Sequence, residues 1–305
     1  MTTSPPLTFS GNPLQRASSE RAAPEWLEQQ YKSPHAEFIP FFKGDPLMID
    51  GTPGFLQMGA LGEFASDAIL IFLGNDEKDK PLFALDASTS ADHQNSAPFH
   101  DLGKYTNLRE IAGTLTSKTI AIIGQARWML DWHIRNPFCG QCGAPSAMKD
   151  GGVKRVCTQC DTEHFPRTEP VAIILVEHDD ACLLGRGPHF PPGFLSCLAG
   201  FVEAAETPEE CAIREVKEEA GVTIDNVRYQ FSQPWPFPSS LMMGFFATAK
   251  SRDLKLQVQE IEEAQWIERT QIIDIMKGDK SLGVFLPPKF TIARQLLERW
   301  VQPSP

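Results

Sequence analysis

The chain has 305 residues, 42% hydrophobic and 22% charged, enough apolar residues for more than one core and too balanced for disorder or a coiled coil. Its formal net charge of −11 argues against a general binder of nucleic acid or anionic membrane, and supplies carboxylates that could hold cations. No apolar run approaches the ~20 residues that cross a bilayer. The start, Met1-Thr-Thr-Ser-Pro-Pro, has neither the basic nor the apolar stretch of a secretory leader, so a reducing, cytoplasmic setting is expected.

Residues 1–30, rich in Pro, Ser and Glu, read as a poorly ordered arm. Ala68–Leu73 and Pro81–Leu85 read as strands around the polar loop Gly74–Lys80, and 88–98 as a further loop. Ile120, Ile123, Arg127, Leu130 and Ile134 recur at helical spacing, which predicts a helix over 118–135. Nothing in the first 135 residues points to a chemistry.

Four of the seven cysteines form two close pairs, Cys139-x2-Cys142 and Cys157-x2-Cys160, with fourteen residues between them. Two such knuckles can converge four thiolates on one tetrahedral Zn²⁺, and Asp150-Gly151 midway is a hairpin turn that would bring them together. A disulfide framework is the alternative, disfavoured by the absence of secretory features. Four thiolates leave no open coordination position, so the expected role is structural. Cys182, Cys197 and Cys211 lie in apolar or small-residue surroundings and read as packing residues.

Beyond the ribbon, Val171–Val176 and Ala181–Leu184 flank Asp179-Asp180 as a second hairpin, and Thr291–Val301 reads as a final helix. Between them, Thr207 suits an N-cap, Pro208 the first helical position, Glu210 a capping box and Gly221 the helix stop. At about 100° per residue, Glu215, Glu218 and Glu219 share one side of this helix, beside the apolar stripe Ala212, Ile213, Val216 and Ala220. Arg214 can pair with Glu210 or Glu218 at i±4, but it cannot neutralise all the acids. A divalent cation such as Mg²⁺ or Mn²⁺ can. The plainer alternative is a solvated acidic face.

The whole stretch from Gly200 to Val222 reads G-x5-E-x7-R-E-V-x-E-E-x-G-V and resembles the Nudix box in every defining position. One local departure is Ala204-Ala205, where many members have Pro-Gly. Downstream, Ser232-Gln-Pro-Trp-Pro-Phe-Pro-Ser-Ser240 resembles the signature of the NADH pyrophosphatase branch of that family, whose members pair a zinc ribbon with a Nudix domain.

The resemblance implies an α/β fold: a Nudix α/β/α sandwich over 168–305, preceded by a zinc ribbon at 136–167 and a degenerate Nudix-like domain at 31–135. It implies metal-dependent hydrolysis of the diphosphate bond of NADH or NAD, or of the NAD cap of RNA. Mg²⁺ or Mn²⁺ would be held by Glu215, Glu219, Glu260 and the Ala199 carbonyl, with Glu219, Glu218 or Glu215 as base and Arg214 as a positioning group. Phe165, Phe201, Ala293 and the run Gln233, Pro234, Trp235, Pro236, Phe237, Pro238, Ser239 and Ser240 would line the dinucleotide pocket. Phe165, where the family usually has Tyr, implies a homodimer because that aromatic reaches the partner's site. Lys149, Lys154, Arg155 and Arg167 are candidate contacts to an RNA backbone. Alternatives are a Nudix hydrolase of ADP-ribose or dinucleoside polyphosphates, and a zinc-ribbon protein that only senses nucleotide.

Overall fold

The computed structural model describes residues 7–62, 68–88 and 97–302. It divides into two compact units, one of Met1–Arg167 with Trp235–Ser239, the other of Thr168–Pro234 with Ser240–Pro305.

In the first unit, strand Glu37–Phe42 pairs in parallel with Pro81–Asp86 and antiparallel with Asp45–Ile49, within a seven-stranded sheet that Leu70–Asn75 closes on one side. The register sets Phe38 opposite Phe83, and their rings stack at 5.2 Å between centroids. Trp26 meets Phe72 edge-on at 5.5 Å, and Tyr31 meets Phe38 at 5.7 Å. Residues 7–30 therefore differ from the expected arm. Pro24–Tyr31 is a helix, and Phe9 and Leu14 are buried. Trp26, Leu27 and Tyr31 pack against the sheet's aromatic core, while Phe9 packs against Trp235 and Phe237. Part of the loop expected at 88–98 lies outside the described residues.

The helix expected at 118–135 spans Ser117–Arg135, capped by the Thr116 hydroxyl, which accepts from the Thr119 N–H. Its buried stripe runs through Ile120, Ile123 and Leu130 but ends on His133, and Ile134 is 48% exposed. His133 Nε2 lies 2.7 Å from the Gly152 carbonyl, and Arg155 Nη1 donates to His133 Nδ1 over 3.0 Å. Both ring nitrogens are engaged by a neutral imidazole, and burial lowers its pKa to about 4. The unfolded chain, with an ordinary histidine near 6.5, takes up the proton that the folded one refuses. Stability of this unit should therefore fall by up to about 3 kcal/mol as pH drops from about 6.5 to about 4. Urea unfolding across that window should show the slope, and His133→Gln should flatten it.

Strands Ser146–Lys149, Lys154–Cys157 and Glu163–His164 form a separate three-stranded sheet. The Asp150-Gly151 turn that joins the first two has both φ angles positive, 53° and 68°.

In the second unit the sheet runs Ile224–Trp235, Ser240–Ala249, Glu169–His178, Ala181–Arg186, Glu263–Glu268, with Leu198–Phe201 added to Glu169–His178. The hairpin at Asp179-Asp180 forms as expected, His178 opposite Ala181. Successive residues of the central strand feed opposite cores. Ala172, Ile174 and Val176 pack with Cys211, Ala212, Val216 and Ala220 of helix Pro208–Ala220. Ile173 and Leu175 pack with Leu296, Leu297 and Trp300 of helix Ile292–Trp300. The result is an α/β/α sandwich. Ile213, placed on the apolar stripe by periodicity, lies at its edge and is 44% exposed. Among the described residues no helix is long and apolar enough to cross a membrane.

Candidate active site and zinc ribbon

Local chemistry fixes the acidic helix at both ends. The Thr207 hydroxyl accepts from the Glu210 N–H at 3.2 Å, the Glu210 carboxylate accepts from the Thr207 N–H at 2.7 Å, and Gly221 ends the helix at φ 73°. Because Glu210 turns back to the cap, it is not the partner of Arg214. That guanidinium donates instead to Glu206 at 2.7 and 2.8 Å, Glu215 at 2.7 Å, Glu218 at 3.1 Å and the Phe201 carbonyl at 3.0 Å. Glu206 in turn accepts from the Glu203 N–H at 2.9 Å, and Arg214 holds its carboxyl down to about 2. One cation thus ties the loop to the helix.

The loop approaches the helix so closely that any side chain at its start would displace the Glu215 carboxylate. A Cβ on Gly200 would lie 1.8 Å from Glu215 Cδ. Ala205 adopts φ 65°, a left-handed conformation that burdens any residue with a Cβ and that a glycine would accept freely. Ala205→Gly should stabilise the protein by about 1 kcal/mol, read as a rise in the urea midpoint at constant m. An unchanged midpoint would show that the alanine carries no strain there.

Glu219 is 8% exposed, and its Oε2 has no hydrogen-bond partner. Burial first, then the charges of Glu215 and Glu260, raise its carboxyl to about 8. Burial also raises Glu215, against the pull of Arg214. The acids at 260–263 are sorted by Arg186. Glu262 and Glu263 pair with that guanidinium at 2.7 and 3.3 Å, whereas exposed Glu260 accepts from Gln257 Nε2 at 3.1 Å and acts electrostatically on Glu215 and Glu219. A buried, unpartnered carboxylate oxygen among like charges is the chemistry that a hard dication satisfies. These carboxylates are set more widely than the ribbon thiols, and among the described residues only the cysteines form a group within 4.8 Å.

In the ribbon, Cys139 and Cys160 sulfurs lie 3.7 Å apart and those of Cys142 and Cys157 3.4 Å apart, near the ~3.8 Å edges of a tetrahedron with ~2.3 Å Zn–S arms. The Gln141 N–H donates to Cys139 Sγ and the Gln159 N–H to Cys157 Sγ, as in two thiolate knuckles. Among the described residues all seven cysteines are free of disulfides. His164 places Nε2 3.2 Å from Cys139 Sγ. Its position four residues past Cys160 was the available signal. Two of the candidate RNA contacts are engaged locally, Lys154 with Asp150 and Glu163 and Arg155 with Ser146 and His133.

The proposed pocket residues are distributed over both units. Phe201 and Phe165 are 58% and 61% exposed, open aromatic faces in the second and first unit respectively. Gln233 is fully buried and not a lining residue. Its Nε2 donates to the Phe290 carbonyl at 2.8 Å and its Oε1 accepts from the Ile292 N–H at 2.7 Å, fastening the start of the last helix. Pro234 is half-buried, and Ser240 is buried where Ser240–Ala249 begins. Ala293 is buried, its carbonyl 4.0 Å from Cys197 Sγ. Trp235, Pro236, Phe237, Pro238 and Ser239 belong to the first unit. There Arg109 lies 4.4 Å and Arg127 5.0 Å from the Phe237 ring centre, and Phe9 meets Trp235 edge-on at 6.0 Å. Arg127 also donates to the Pro236 carbonyl at 2.9 Å. This cation–π packing is one that no proline-aromatic spacing encodes, and it leaves Trp235 and Phe237 half-buried.

A capped helix of clustered glutamates facing a glycine loop in an α/β/α sandwich, with a four-thiol ribbon in the same chain, defines a Nudix-type protein. The NUDIX domain family matches residues 166–287, the NADH pyrophosphatase zinc ribbon domain 134–165, and the NADH pyrophosphatase-like rudimentary NUDIX domain 35–132. The chain belongs to the Nudix hydrolase family, with the domain order of its NADH pyrophosphatase branch. It is 43% identical over 201 residues to human "NAD-capped RNA hydrolase NUDT12", covering 63% of this chain and 44% of that protein. It is 35% identical over 264 residues to human "NAD(P)H pyrophosphatase NUDT13, mitochondrial", covering 79% and 75%. It is also 35% identical over 222 residues to "NAD-capped RNA hydrolase NudC" of Stutzerimonas stutzeri, covering 73% and 74%. The chain thus spans less than half the length of its NUDT12 relative.

Proposed function

We propose that this protein hydrolyses the diphosphate bond of NADH or NAD to nicotinamide mononucleotide and AMP, and the NAD cap of RNA to nicotinamide mononucleotide and 5′-monophosphate RNA. The observation that carries the reading is the unpartnered Glu219 Oε2, buried beside Glu215 and Glu260. The ribbon and the printed activities of the relatives support the choice of substrate.

Glu215, Glu219, Glu260 and the Ala199 carbonyl would hold Mg²⁺ or Mn²⁺, which supplies phosphate neutralisation and acidification of a water. Arg214 keeps Glu215 in place and ties the Glu206 loop against it. In the reaction, a water oxygen bonds to one phosphorus, and the bridging P–O bond breaks. The bridging oxygen leaves with the other phosphate. A glutamate of the helix, Glu219, Glu218 or Glu215, takes the water's proton. Phe201, exposed next to Gly200, offers a ring for nicotinamide. Exposed Phe165 fits a homodimer in which it reaches the partner's site, and a ribbon of four free thiols fits structural Zn²⁺ in a reducing setting.

Hydrolysis of ADP-ribose is a second reading, favoured by the packing of Trp235 and Phe237 against Arg109 and Arg127. Product analysis after incubation with NADH, NAD⁺ and ADP-ribose, in Mn²⁺ or EDTA, tests both. Nicotinamide mononucleotide formed only with metal supports the first, and cleavage of ADP-ribose alone replaces it with the second.

A further inference from the structure

Beside the carboxylates, the second unit carries a run of aromatic rings to which the dinucleotide reading gives no role. The turn at Gly187 roots it. A Cβ there would lie 3.1 Å from the Glu260 backbone carbonyl oxygen and 3.1 Å from the His189 ring, so the imidazole and the backbone of Glu260 flank the same glycine. From His189 the rings continue to Phe190 at 4.3 Å, to Phe194 at 4.8 Å in a stacked arrangement, and to Phe285 at 5.7 Å edge-on.

Phe190 and Phe285 are 41% and 45% exposed although both segments are held firmly. Arg186, paired with Glu262, donates to the Phe190 carbonyl at 3.0 Å, and the Phe285 N–H donates to the Gly193 carbonyl at 2.8 Å. Rigid, water-facing phenyl rings provide stacking surface with little ordering cost. Lys280 and Lys289 bracket Phe285 in sequence, are exposed, and make no ion pair among the described residues. Rings followed by unmatched cations suit a chain of bases and phosphates better than a single base.

Resting on the proposed phosphoanhydride chemistry, we infer that His189, Phe190 and Phe285 form a platform on which the first nucleobases of a single-stranded, NAD-capped RNA stack, with Lys280 and Lys289 facing its phosphates. This makes the cap's 3′ extension, and not only the cap, a determinant of substrate choice.

The test compares kcat/KM for NADH with that for an NAD-capped RNA bearing an unpaired 5′ end, using the full chain. Phe190→Leu and Phe285→Leu keep apolar volume and remove the flat face, so folding is preserved and circular dichroism should confirm it. Each should lower kcat/KM for the capped RNA about tenfold while NADH turnover stays within about twofold. Lys280→Ala with Lys289→Ala should make the RNA reaction less sensitive to salt. Equal losses on NADH and RNA would assign the rings to the dinucleotide's own base and overturn the inference. Unchanged RNA kinetics in both leucine variants, or no RNA decapping by a wild type active on NADH, would also overturn it. A wild type inactive on NADH, NAD⁺ and capped RNA alike would instead remove the underlying reading.

Discussion

Glu219→Gln is expected to lower kcat for NADH by about 10³-fold or more, while NADH still binds with metal present. The substitution keeps the shape of a side chain only 8% exposed and packed against the helix core, so the fold should persist. What it removes is the charge that a dication needs and the oxygen, unpartnered in the structure, that can accept a proton. Steady-state kinetics alongside calorimetric binding of NADH separates the two effects. Turnover retained within tenfold would eliminate Glu219 from the chemistry and with it the central premise of the proposed mechanism.

Gly200→Ala should be nearly as damaging to activity and far less so to stability. The added methyl would sit 1.8 Å from the Glu215 carboxyl carbon, but that atom is the end of a flexible side chain and can swing aside. The cost falls on position. Glu215 must leave the place where Arg214 holds it at 2.7 Å, and a displacement of about 1 Å in a catalytic group can cost 10²-fold in rate. The expected result is a soluble protein with a near-normal melting temperature and a kcat/KM reduced at least about 10²-fold. Normal kinetics would mean that the contact between loop and carboxylate has no part in the reaction.

Much of this was legible in the sequence wherever the determining contacts are local. The capping box of Thr207 and Glu210, the stop at Gly221, both hairpins and the knuckles around Cys139 and Cys157 each rest on residues within a few positions of one another. For Arg214 the same locality supplied the Glu218 bond but not the rest. Helical spacing offers Glu210 and Glu218, but its shortest bonds include Glu206 in the preceding loop, eight residues back, and no helical period reaches that far. Gln233 shows the limit in another way. Its motif suggests a lining residue, yet its amide is engaged by Phe290 and Ile292, nearly sixty residues away. The burial of Phe9 depended on an aromatic cluster assembled from distant segments, so a composition rich in Pro and Ser could not reveal it.

The central strand of the second unit also sets a tolerance for changes in chain length. Ala172 is opposite Gly200 and Ile173 opposite Ala199, while the two faces of the strand feed separate cores. Inserting or deleting one residue between 171 and 176 would exchange those faces and slide the glycine loop by one rung. An enzyme altered in this way could keep every glutamate and still be inert, because those acids would no longer meet the loop opposite them. Length variation among its kin should therefore gather in the connections, such as the Gly187–Gly193 turn, and spare this strand.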